Sequence, residues 1–373
     1  MRRLAVISFH TSPLAQPGTG DGGGMNVYVR ELSSALAGAG VDCDVFTRSW
    51  RPGLRPVQEV EPGFRVHHIP AGPDALVAKE HLAEHVEEFT AGVLDRIETS
   101  GPPGVIHANY WLSGVAGHVL KHRLELPLVS TFHTLARVKA EEAAEEHDKR
   151  AKAEAEVIGC SDAILASSAD EAAQLERLYG AVPQRIEIVP PGVDHHLFSP
   201  GDQRAARAGL GLHDEPVVLF VGRIQPLKGA DVAVRALAAL PHRHATLLLV
   251  GGPSGQEGKA ELTRLHTLVA ELGLTGRVRF MPPQPHGQLA SYYRAADVCV
   301  VPSRSESFGL VALEAAGCGT PVVAAAVGGL RTLVAHGVSG FLVEGRDPQA
   351  YAAYVAKLLD DPVMAAGMSV EAT

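Results

Sequence analysis

Residues 303–321 read SRSESFGLVALEAAGCGTP, the order of a loop followed by a helix. This stretch comes directly after an apolar run, residues 297–302, which ends in a proline and predicts a buried strand. The loop ends at Gly309, where the backbone can approach a ligand closely because glycine has no side chain. Residues 310–316 favour a helix. A strand, a loop and a helix in this order are typical of a parallel α/β sheet.

Two glutamates stand in this stretch, Glu306 in the loop and Glu314 on the helix. Carboxylates near the carboxyl end of a parallel strand can accept hydrogen bonds from sugar hydroxyls. Taken alone, the pair is explained more simply by a helix-capping glutamate and a solvated one. The rest of the chain reverses that preference.

The length and charge of the chain limit its function class. A chain of 373 residues predicts two domains, each with its own core, and 46% hydrophobic with 20% charged residues is ordinary for a soluble globular protein. The formal net charge of −9 argues against a general binder of nucleic acid or acidic membranes. Any phosphate recognition must therefore come from a few local basic groups.

The cysteines and the hydropathy pattern indicate a cytoplasmic protein. Cys43, Cys160, Cys299 and Cys318 lie far apart without a C-x-x-C pair, which predicts reduced core thiols. The apolar run at the amino terminus is too short for a signal peptide. No apolar run approaches the roughly 18 residues of a membrane span, so we expect none.

Strand and helix patterns alternate in two series along the chain. Residues 4–9 open the first series and residues 217–221 open the second. A rigid proline-rich segment, 190–200, separates them and predicts the domain boundary. We therefore predict an α/β protein with two Rossmann-like, doubly wound parallel-sheet domains, 1–192 and 193–373, which face a central cleft.

A glycine-rich loop, residues 10–24, joins the first strand to a helical stretch at residues 25–36. The start of a helix after such a loop can bind phosphate through free backbone N–H groups and the helix dipole. The glycines do not match the G-x-G-x-x-G dinucleotide motif. The loop is therefore either an anion site or only flexible, and Asn26 can be read as a helix cap.

Polar residues follow other predicted strands of the first series. Residues 105–111 run from a strand into a polar-aromatic loop that contains Tyr110, and His133 and Thr134 end another strand. A histidine at the carboxyl end of a strand more often faces a ligand than a lone helix histidine does. Two cations lie on predicted helices, Lys79 near the start of 78–97 and Arg150 within 139–157. Taken alone, Lys79 is solvated and Arg150 pairs with Glu146 or Glu154.

The second series carries a basic pair next to its first strand. Arg223 and Lys228 stand in a strand-to-helix turn that begins at Gly222 and ends at Gly229. Two cations framed by glycines are poorly explained as surface residues, and arginine offers two parallel hydrogen bonds to a phosphate. We interpret the pair as a diphosphate site.

Other groups that resemble metal ligands are better explained as structural residues. Asp42 and Asp44 form a D-x-D pattern, but they alternate with apolar residues, as a strand with a polar face or edge would. The histidine pairs lack a companion set with metal-ligand spacing, so we expect them at the surface or in linkers; they are His67 with His68, His195 with His196, and His242 with His244.

Several motifs together resemble the retaining glycosyltransferases of the GT-B fold, family 4. They are the E-x7-E of Glu306 and Glu314, the G-R-x4-K of Arg223 and Lys228, and the G-V-D at 192–194. The stretch 10–27 is similar to the narrower group that acts on inositol 3-phosphate in the first step of mycothiol biosynthesis. The similarity covers nearly the whole chain, and it includes the segments 108–114, 133–136, 251–255 and 293–297.

The resemblance implies a retaining hexosyltransferase that moves N-acetylglucosamine from UDP-GlcNAc to 1D-myo-inositol 3-phosphate. It implies catalytic roles for His133, Arg223, Lys228 and Glu306. The implied donor-binding residues are His10, Gln16, Pro17, Gly24, Arg223, Lys228, Gln284, Glu306 and Glu314. The implied acceptor-binding residues are Asp21, Gly22, Gly23, Gly24, Met25, Asn26, Lys79, Tyr110, Thr134 and Arg150.

The resemblance also implies that the chemistry requires no cofactor, with a structural magnesium ion near Tyr293, Arg294, Ala296 and Thr320. The expected partners are UDP-GlcNAc and inositol phosphate, without nucleic acid or a membrane span, and a homodimer is left open. Three alternatives stay open: another acceptor (a sugar phosphate, malate or a lipid), a UDP-sugar epimerase or hydrolase, and an inactive nucleotide-sugar binding module.

The sequence departs from the family pattern at two places. Gln284 stands where relatives often have arginine near the uracil. Family members usually continue with a helix that crosses back onto the first domain, and we expect this sequence to lack that final cross-over helix.

Overall fold

The computed structural model describes residues 2–18, 20, 22–143, 148–255 and 257–372, and these form two compact units. The first unit contains the residues up to Ala15 and Gly24–Pro190, and the second contains Gln16–Gly23 and the residues from Pro191 onward. The short segment Gln16–Gly23 therefore packs with the second unit, although the first surrounds it in sequence.

The first unit is built on one eight-stranded sheet. Its strands are β1 Arg2–Ile7, β2 Val41–Arg48, β3 Val57–Glu61, β4 Phe64–Ile69, β5 Val105–Asn109, β6 Leu128–Thr131, β7 Ala163–Ala166 and β8 Ile186–Ile188. The order across the sheet is β3-β4-β2-β1-β5-β6-β7-β8, and every pair is parallel except β3 with β4. The strand order reverses direction between β1 and β5, which is the topological switch point of this sheet.

Helices and short 3-10 turns connect these strands. They are α1 Gly24–Gly38, α2 Val86–Ser100, α3 Trp111–Leu124, α4 Ala136–Ala143, α5 Asp148–Cys160 and α6 Ala169–Tyr179, with 3-10 turns at Leu82–His85 and Pro183–Arg185. Lys79, predicted near the start of a helix, lies instead in a turn that precedes the 3-10 turn and α2.

The second unit has one six-stranded sheet in which all pairs are parallel. Its strands are β9 Val217–Val221, β10 Thr246–Val250, β11 Val278–Met281, β12 Val298–Val301, β13 Val322–Ala325 and β14 Gly340–Val343. The order β11-β10-β9-β12-β13-β14 puts the switch point between β9 and β12.

The helices of the second unit complete the two layers around its sheet. They are α7 Gln203–Gly209, α8 Ala230–Ala239, α9 Gly258–Glu271, α10 His286–Ala295, α11 Leu310–Gly317, α12 Leu330–Leu333, α13 Pro348–Asp360 and α14 Pro362–Ala372, with a 3-10 turn at Pro226–Lys228. The last of these helices, α14, begins at Pro362 and buries Met368.

Both central strands are apolar along their length because both faces of each sheet are covered. In β9, Val218 and Phe220 enter one core while Val217 and Leu219 enter the core on the opposite face. The same alternation occurs in β1, whose side chains at positions 5 and 7 lie opposite those at 4 and 6. The predicted fold class, two doubly wound parallel-sheet α/β domains, is confirmed. No helix in the described ranges combines the length and hydrophobicity that a bilayer crossing requires.

The D-x-D aspartate Asp44 is part of a buried ion cluster in β2. Its carboxylate accepts hydrogen bonds from Arg3 Nε at 2.5 Å and Arg65 Nε at 2.8 Å, and it lies 2.8 Å from His67 Nε2. Burial opposes its ionisation, but the bonds from His67, Arg65 and Arg3 outweigh burial and hold the pKa of Asp44 below its usual range. The expectation of surface histidines was wrong for His67 and His68, which are both buried.

Candidate active site

In the first unit, His10 and Tyr110 lie close together at the switch point. Tyr110 follows β5 directly, and its ring centroid is 5.0 Å from that of His10. Tyr110 has a positive φ of 77°, a conformation that is strained for a residue with a large side chain. Open parallel sheets bind ligands outside the carboxyl ends of the strands at a switch point, so this position is suited to contact a ligand.

His133 stands just beyond the end of β6 and is held by its neighbours. Its Nε2 lies 3.0 Å from Asn109 Oδ1, and its ring packs edge-on against Tyr28 at 5.0 Å. Burial and the nearby His107 lower the pKa of His133 to about 3. The imidazole is therefore neutral at pH 7 and can exchange hydrogen bonds with a substrate, but it is not a proton donor of the imidazolium type.

Three of the predicted acceptor residues, Tyr110, Thr134 and Arg150, come together around one guanidinium. Arg150 Nη2 donates to the Thr134 carbonyl at 2.7 Å and to its hydroxyl at 3.0 Å. The guanidinium carbon lies 5.0 Å from the centroid of the Tyr110 ring. Arg150 Nε donates to Glu154 at 2.7 Å, one turn further along α5. Glu146, the other partner considered for Arg150, lies outside the described residues.

Sequence reasoning treated Glu154 only as a surface partner for Arg150, but its carboxylate is fully buried. One oxygen binds Arg150, and the other accepts hydrogen bonds from the Ala136 N–H at 2.9 Å and from the Tyr179 hydroxyl. Burial and Glu154 raise the pKa of Tyr179, which keeps its hydroxyl protonated as a donor. The four-residue spacing indicated the ion pair, whereas the buried carboxylate depends on α6, which is distant in sequence.

The remaining acceptor candidates are placed differently from one another. Asn26 is buried in the first turn of α1 and donates to Thr11 Oγ1 and the Ser12 carbonyl, each at 2.6 Å, so it anchors the preceding loop. Lys79 is exposed, with its ammonium 4.0 Å from Glu80. Gly24 and Met25 begin α1 in the first unit, Gly22 and Gly23 belong to the second unit, and Asp21 lies outside the described residues.

In the second unit, the basic pair and Glu306 meet the switch point between β9 and β12. Arg223 follows β9, and Glu306 lies in the loop after β12. Lys228 Nζ is 2.6 Å from Glu306 Oε2, which also accepts a bond from Ser303 Oγ at 3.3 Å. Two cations and a carboxylate thus gather where an open parallel sheet binds ligands.

Two glycines allow the backbones in this region to approach one another. Gly229 has a φ of 74°, and a Cβ there would lie 2.2 Å from the Pro302 carbonyl oxygen. A Cβ on Gly328 would lie 2.0 Å from the carbonyl oxygen of Glu306. Both distances are far below van der Waals contact. The placement of Lys228 and Glu306 therefore depends on two positions of the chain that only glycine can occupy.

Glu314 is buried on α11, and both carboxylate oxygens have partners. Oε1 is 2.8 Å from His286 Nε2, and Oε2 accepts a 2.7 Å hydrogen bond from the Tyr293 hydroxyl. Burial and the charge of Glu314 raise the pKa of Tyr293 well above its usual value. His286 and Tyr293 therefore orient the carboxylate, and neither was assigned this role from the sequence.

The segment Gln16–Gly23 packs against β-strand ends of the second unit. Gln16 Nε2 donates to the Pro283 carbonyl at 3.0 Å, and Ser254 donates to the Gly20 carbonyl. A Cβ on Gly23 would lie 3.4 Å from Arg223 Nε, so this glycine lies beside the guanidinium. Pro17 is partly exposed next to Gln16, and Gln284 Nε2 donates to the Pro282 carbonyl at 2.8 Å.

The four positions predicted for magnesium offer neutral oxygens. Thr320 Oγ1 donates to the Tyr293 carbonyl at 2.7 Å, and the Ala296 carbonyl accepts from Gln203 at 3.1 Å. Two oxygens bound to one Mg²⁺ stand about 2.9 Å apart, so the first pair has a suitable spacing. The Arg294 guanidinium binds the Leu197 and Ser199 carbonyls and adds positive charge. Because the first pair is already joined by a hydrogen bond, its spacing does not by itself indicate an ion, and the magnesium site stays a prediction.

Comparison with known proteins identifies both halves of the chain. Residues 23–192 match the family described as glycosyl transferase 4-like domain, and residues 202–373 match glycosyl transferases group 1. A D-inositol 3-phosphate glycosyltransferase of Acidothermus cellulolyticus is 51% identical over 96% of this chain and 83% of its own length. One of the same name from Geodermatophilus obscurus is 52% identical over 96% of this chain and 82% of its own.

Solved structures agree with these assignments. Sucrose-phosphate synthase from Thermosynechococcus elongatus is 38% identical, with a TM-score of 0.94 over 100% of this chain and 93% of its own. HepE of Anabaena, solved with UDP and glucose, is 21% identical with a TM-score of 0.80 over 100% of this chain and 94% of its own, which supports the fold alone. This chain is a glycosyltransferase of the GT-B fold and belongs to family 4, alongside the D-inositol 3-phosphate glycosyltransferases.

Proposed function

We propose that this chain transfers N-acetylglucosamine from UDP-GlcNAc to 1D-myo-inositol 3-phosphate with retention of configuration, the first step of mycothiol biosynthesis. The observation that carries the proposal is the identity of about half the residues, over nearly the whole chain, with proteins named D-inositol 3-phosphate glycosyltransferase. The chemistry of the candidate site is consistent with this reaction in both units.

The first unit supplies groups suited to the acceptor. Arg150 is oriented by Glu154 and Thr134 and is always charged, so it can bind a phosphate dianion with little loss of conformational freedom. Lys79 is exposed and would supply a second cation on a flexible side chain. Tyr110 lies beside Arg150 and offers a hydroxyl to the inositol ring.

The second unit supplies groups suited to the donor. Arg223 and Lys228 would bind the UDP diphosphate, Glu314 the ribose hydroxyls, and Glu306 the transferred sugar. Lys228 pairs with Glu306 in this structure, so it would share its charge between that carboxylate and the diphosphate when the donor binds. Gln284 would contact the uracil, and the segment Gln16–Gly23 would cover the donor near Arg223.

The proposed reaction proceeds on one face of the sugar. As the bond from the anomeric carbon to the UDP oxygen breaks, negative charge grows on the diphosphate and is stabilised by Arg223 and Lys228. An inositol hydroxyl oxygen forms the new bond to the same carbon from the side of the leaving group. Its proton passes to a diphosphate oxygen, so UDP serves as both leaving group and base.

His133 would contact the transferred sugar as a neutral group. Its low pKa, a consequence of burial and of His107, keeps it uncharged at the pH of the reaction. Because its single N–H donates from Nε2 to Asn109 Oδ1, the neutral imidazole can only accept a hydrogen bond from a sugar hydroxyl, at Nδ1. This assigns His133 to orientation of the sugar and not to proton transfer.

We further propose that Arg223 and Lys228, and not a metal ion, neutralise the charge of the diphosphate. A magnesium ion near Thr320 would then be structural. Tyr293, Ala296 and Thr320 would supply its oxygens. Chelation by EDTA should then leave the transfer rate unchanged while lowering the melting temperature slightly. A complete loss of transfer on chelation would contradict the first part of this proposal.

A second candidate acceptor is a hexose phosphate. It is favoured by the 38% identity and TM-score of 0.94 with sucrose-phosphate synthase, whose name specifies a sugar phosphate product. The same two cations, Lys79 and Arg150, would bind the phosphate of either acceptor. The higher identity with the inositol 3-phosphate enzymes favours inositol phosphate.

UDP release is the test of the proposal. Purified protein is incubated with UDP-GlcNAc alone, with added 1D-myo-inositol 3-phosphate, and with added fructose 6-phosphate, and UDP-glucose is the control donor. We expect release only with UDP-GlcNAc and the inositol phosphate. Release with fructose 6-phosphate would favour the second acceptor, release without acceptor would indicate a hydrolase or epimerase, and UDP binding without release would indicate a binding module.

A further inference from the structure

Two histidines and a cysteine form a cluster in the first unit, away from the candidate active site. His118 and His122 stand one turn apart on α3, and Cys160 ends the neighbouring helix α5. Their ligand atoms all lie within 4.8 Å of one another. Cys160 Sγ is 3.4 Å from His122 Nε2, and the two imidazole rings meet edge-on at 4.9 Å.

These distances are close to those around a tetrahedral zinc ion. Bonds of about 2.3 Å to sulfur and about 2.0–2.1 Å to nitrogen place two ligands roughly 3.3–3.6 Å apart. The Cys160–His122 pair already has this spacing, and the ligand atom of His118 lies within 4.8 Å of both. His118 Nδ1 is buried and has no hydrogen-bond partner among the described residues, so a polar atom of the cluster lacks a protein partner.

The surroundings of the cluster offer a cation both space and negative charge. The three residues line a cavity of about 540 Å³ together with Glu156, which lies one turn before Cys160 on α5. Cys160 is the last residue of α5, and His122 lies in the last turn of α3, where helix dipoles favour positive charge. Glu156 or a water molecule can supply a fourth ligand.

Two basic residues in the same cavity are already hydrogen-bonded to protein oxygens. Lys121 Nζ donates to Asp162 Oδ2 at 2.6 Å and to the Cys160 carbonyl at 2.8 Å. Arg185 Nη1 donates to the carbonyls of Gly159 at 3.2 Å and Ser161 at 3.3 Å. The Asp162 carboxylate reduces the repulsion between Lys121 and a metal ion, and the two carbonyls hold the Arg185 guanidinium in place.

The cluster is distinct from the proposed transfer site. Ten residues of α5, or about 15 Å of helix, separate Cys160 from Arg150. Cys160 also differs from the other three cysteines, because Cys43, Cys299 and Cys318 are buried and it is not. The prediction that all four are core thiols was therefore wrong for Cys160. The sequence signal is a pair of histidines four residues apart on a helix, which places both on one face.

We propose that His118, His122 and Cys160 bind a divalent transition metal of the zinc class. The ion would join the ends of α3 and α5 with three protein ligands, one thiolate and two neutral imidazoles. The thiol releases its proton to solvent as the metal–sulfur bond forms, so the apparent affinity falls as the pH decreases. The metal takes no part in sugar transfer.

The test is a titration of the untagged, reduced and chelator-treated protein with Co²⁺, followed by absorption spectroscopy. We expect one Co²⁺ per chain, with a sulfur-to-cobalt charge-transfer band and the visible bands of four-coordinate cobalt, which Zn²⁺ then displaces. Cys160→Ser should abolish the charge-transfer band. His122→Gln should weaken Co²⁺ binding by more than about 100-fold. Loss of a residue that only hydrogen-bonds to a metal ligand typically weakens metal binding by about 10–100-fold.

The control variant is His213→Gln, which removes an exposed histidine outside the cluster and should leave the titration unchanged. Circular dichroism of each variant verifies that it is folded. The absence of a charge-transfer band in the folded wild-type protein would overturn the proposal. So would a band that survives in Cys160→Ser, because the sulfur ligand would then be another cysteine.

Discussion

Both units have positive φ angles in the loops that follow their parallel strands, but they use different residues there. In the first unit, Tyr110 and His133 adopt positive φ angles of 77° and 61°. In the second unit, glycines take the corresponding role, with φ angles of 74° at Gly229 and 103° at Gly309. A non-glycine residue in this region costs roughly 1–2 kcal/mol, whereas glycine adopts it freely.

The difference indicates what each unit requires at these positions. The second unit requires close approach of backbones, because a Cβ on Gly229 would lie 2.2 Å from the Pro302 oxygen. The first unit retains side chains at strained positions, and strain of this kind is typical of functional sites. In the proposed function, the first unit would present side chains to the acceptor, and the second would present backbone and long cationic side chains to the donor.

The cations of the two units also differ. Arg150 is fixed by a fully buried glutamate, whereas Lys228 pairs with the partly exposed Glu306. The first arrangement is already formed before any phosphate binds. In the proposed function, the second would share its lysine with the donor, so more of its interaction could develop as the diphosphate gains charge.

The largest expected effect concerns this lysine. Lys228→Met removes a cation from the leaving diphosphate, and we expect kcat to fall by about 10²–10³-fold, the usual effect of losing one charge-stabilising group. Steady-state assays of UDP release measure it. Lys259→Met removes an exposed lysine on α9 of the same unit and should leave kcat unchanged. A decrease below threefold in Lys228→Met would mean that the lysine does not stabilise the transition state.

A pair of glycine substitutions separates two effects on stability, the steric clash of an added Cβ and the strain of a positive φ angle. Gly229→Ala and Gly273→Ala have similar φ angles, 74° and 66°, but a Cβ on Gly273 would meet no atom within 4 Å. We expect Gly273→Ala to cost about 1 kcal/mol and Gly229→Ala a further 1–3 kcal/mol, because the second must displace a carbonyl. Calorimetric melting of both variants measures the difference. Equal melting temperatures would show that the Pro302 contact is unimportant.

Acid should weaken the first unit through its buried histidines. Burial lowers the pKa of His107 to about 4, compared with about 6.5 in the unfolded chain. The unfolded chain therefore takes up a proton below pH 6.5 that the folded state binds only near pH 4. The contribution to stability is complete above pH 6.5 and is lost as the pH falls, by about 2 kcal/mol at pH 5.

Urea unfolding at pH 7 and pH 5, followed by tryptophan fluorescence, measures this loss. Both tryptophans of the chain, Trp50 and Trp111, lie in the first unit and so report on it. His107→Gln keeps a polar group near Thr131 Oγ1, which lies 2.9 Å from His107 Nε2 in the wild type. The variant should lose less stability between pH 7 and pH 5. An identical loss in both proteins would assign the acid sensitivity to other groups.

The smallest effect concerns the strained residues themselves. Glu125 has a φ of 53° at the exposed carboxyl end of α3, so Glu125→Gly should raise stability by about 1 kcal/mol without changing transfer. His133→Gly relieves similar strain but removes the imidazole, and we expect unchanged stability with a transfer rate reduced at least about tenfold, since positioning is lost. Denaturant unfolding and assays of both variants test this contrast. Full activity in His133→Gly would leave its strained backbone without a functional reason.

The sequence was most informative where a strong local pattern coincides with the fold. The apolar run at 217–221 predicted β9, and four-residue spacing predicted an ion pair of Arg150 with Glu146 or Glu154, of which the structure shows the pair with Glu154. Strand-end residues such as Tyr110 and Arg223 were identified because parallel strands bring their carboxyl ends to one edge. These inferences need only local periodicity and one rule about sheets.

Other features depended on contacts that no local pattern specifies. The burial of Glu154 arises from Tyr179 and α6, and the partners of Glu314 come from α10. The metal-ligand cluster joins His118 and His122 to Cys160, a residue on another helix. The segment Gln16–Gly23 belongs to the second unit although its neighbours in sequence belong to the first. Each of these requires the tertiary arrangement.

The central claim is that the first unit binds the acceptor phosphate and the second binds UDP. It is tested by measuring the KM for inositol 3-phosphate and the calorimetric Kd for UDP in Arg150→Gln and Lys228→Met. We predict that Arg150→Gln raises the acceptor KM at least about tenfold, the effect of losing one charged hydrogen bond, with an unchanged UDP Kd. In Lys228→Met, we predict that the UDP Kd rises and the KM for inositol 3-phosphate is unchanged. A UDP Kd that rises as much as the acceptor KM in Arg150→Gln would contradict the claim.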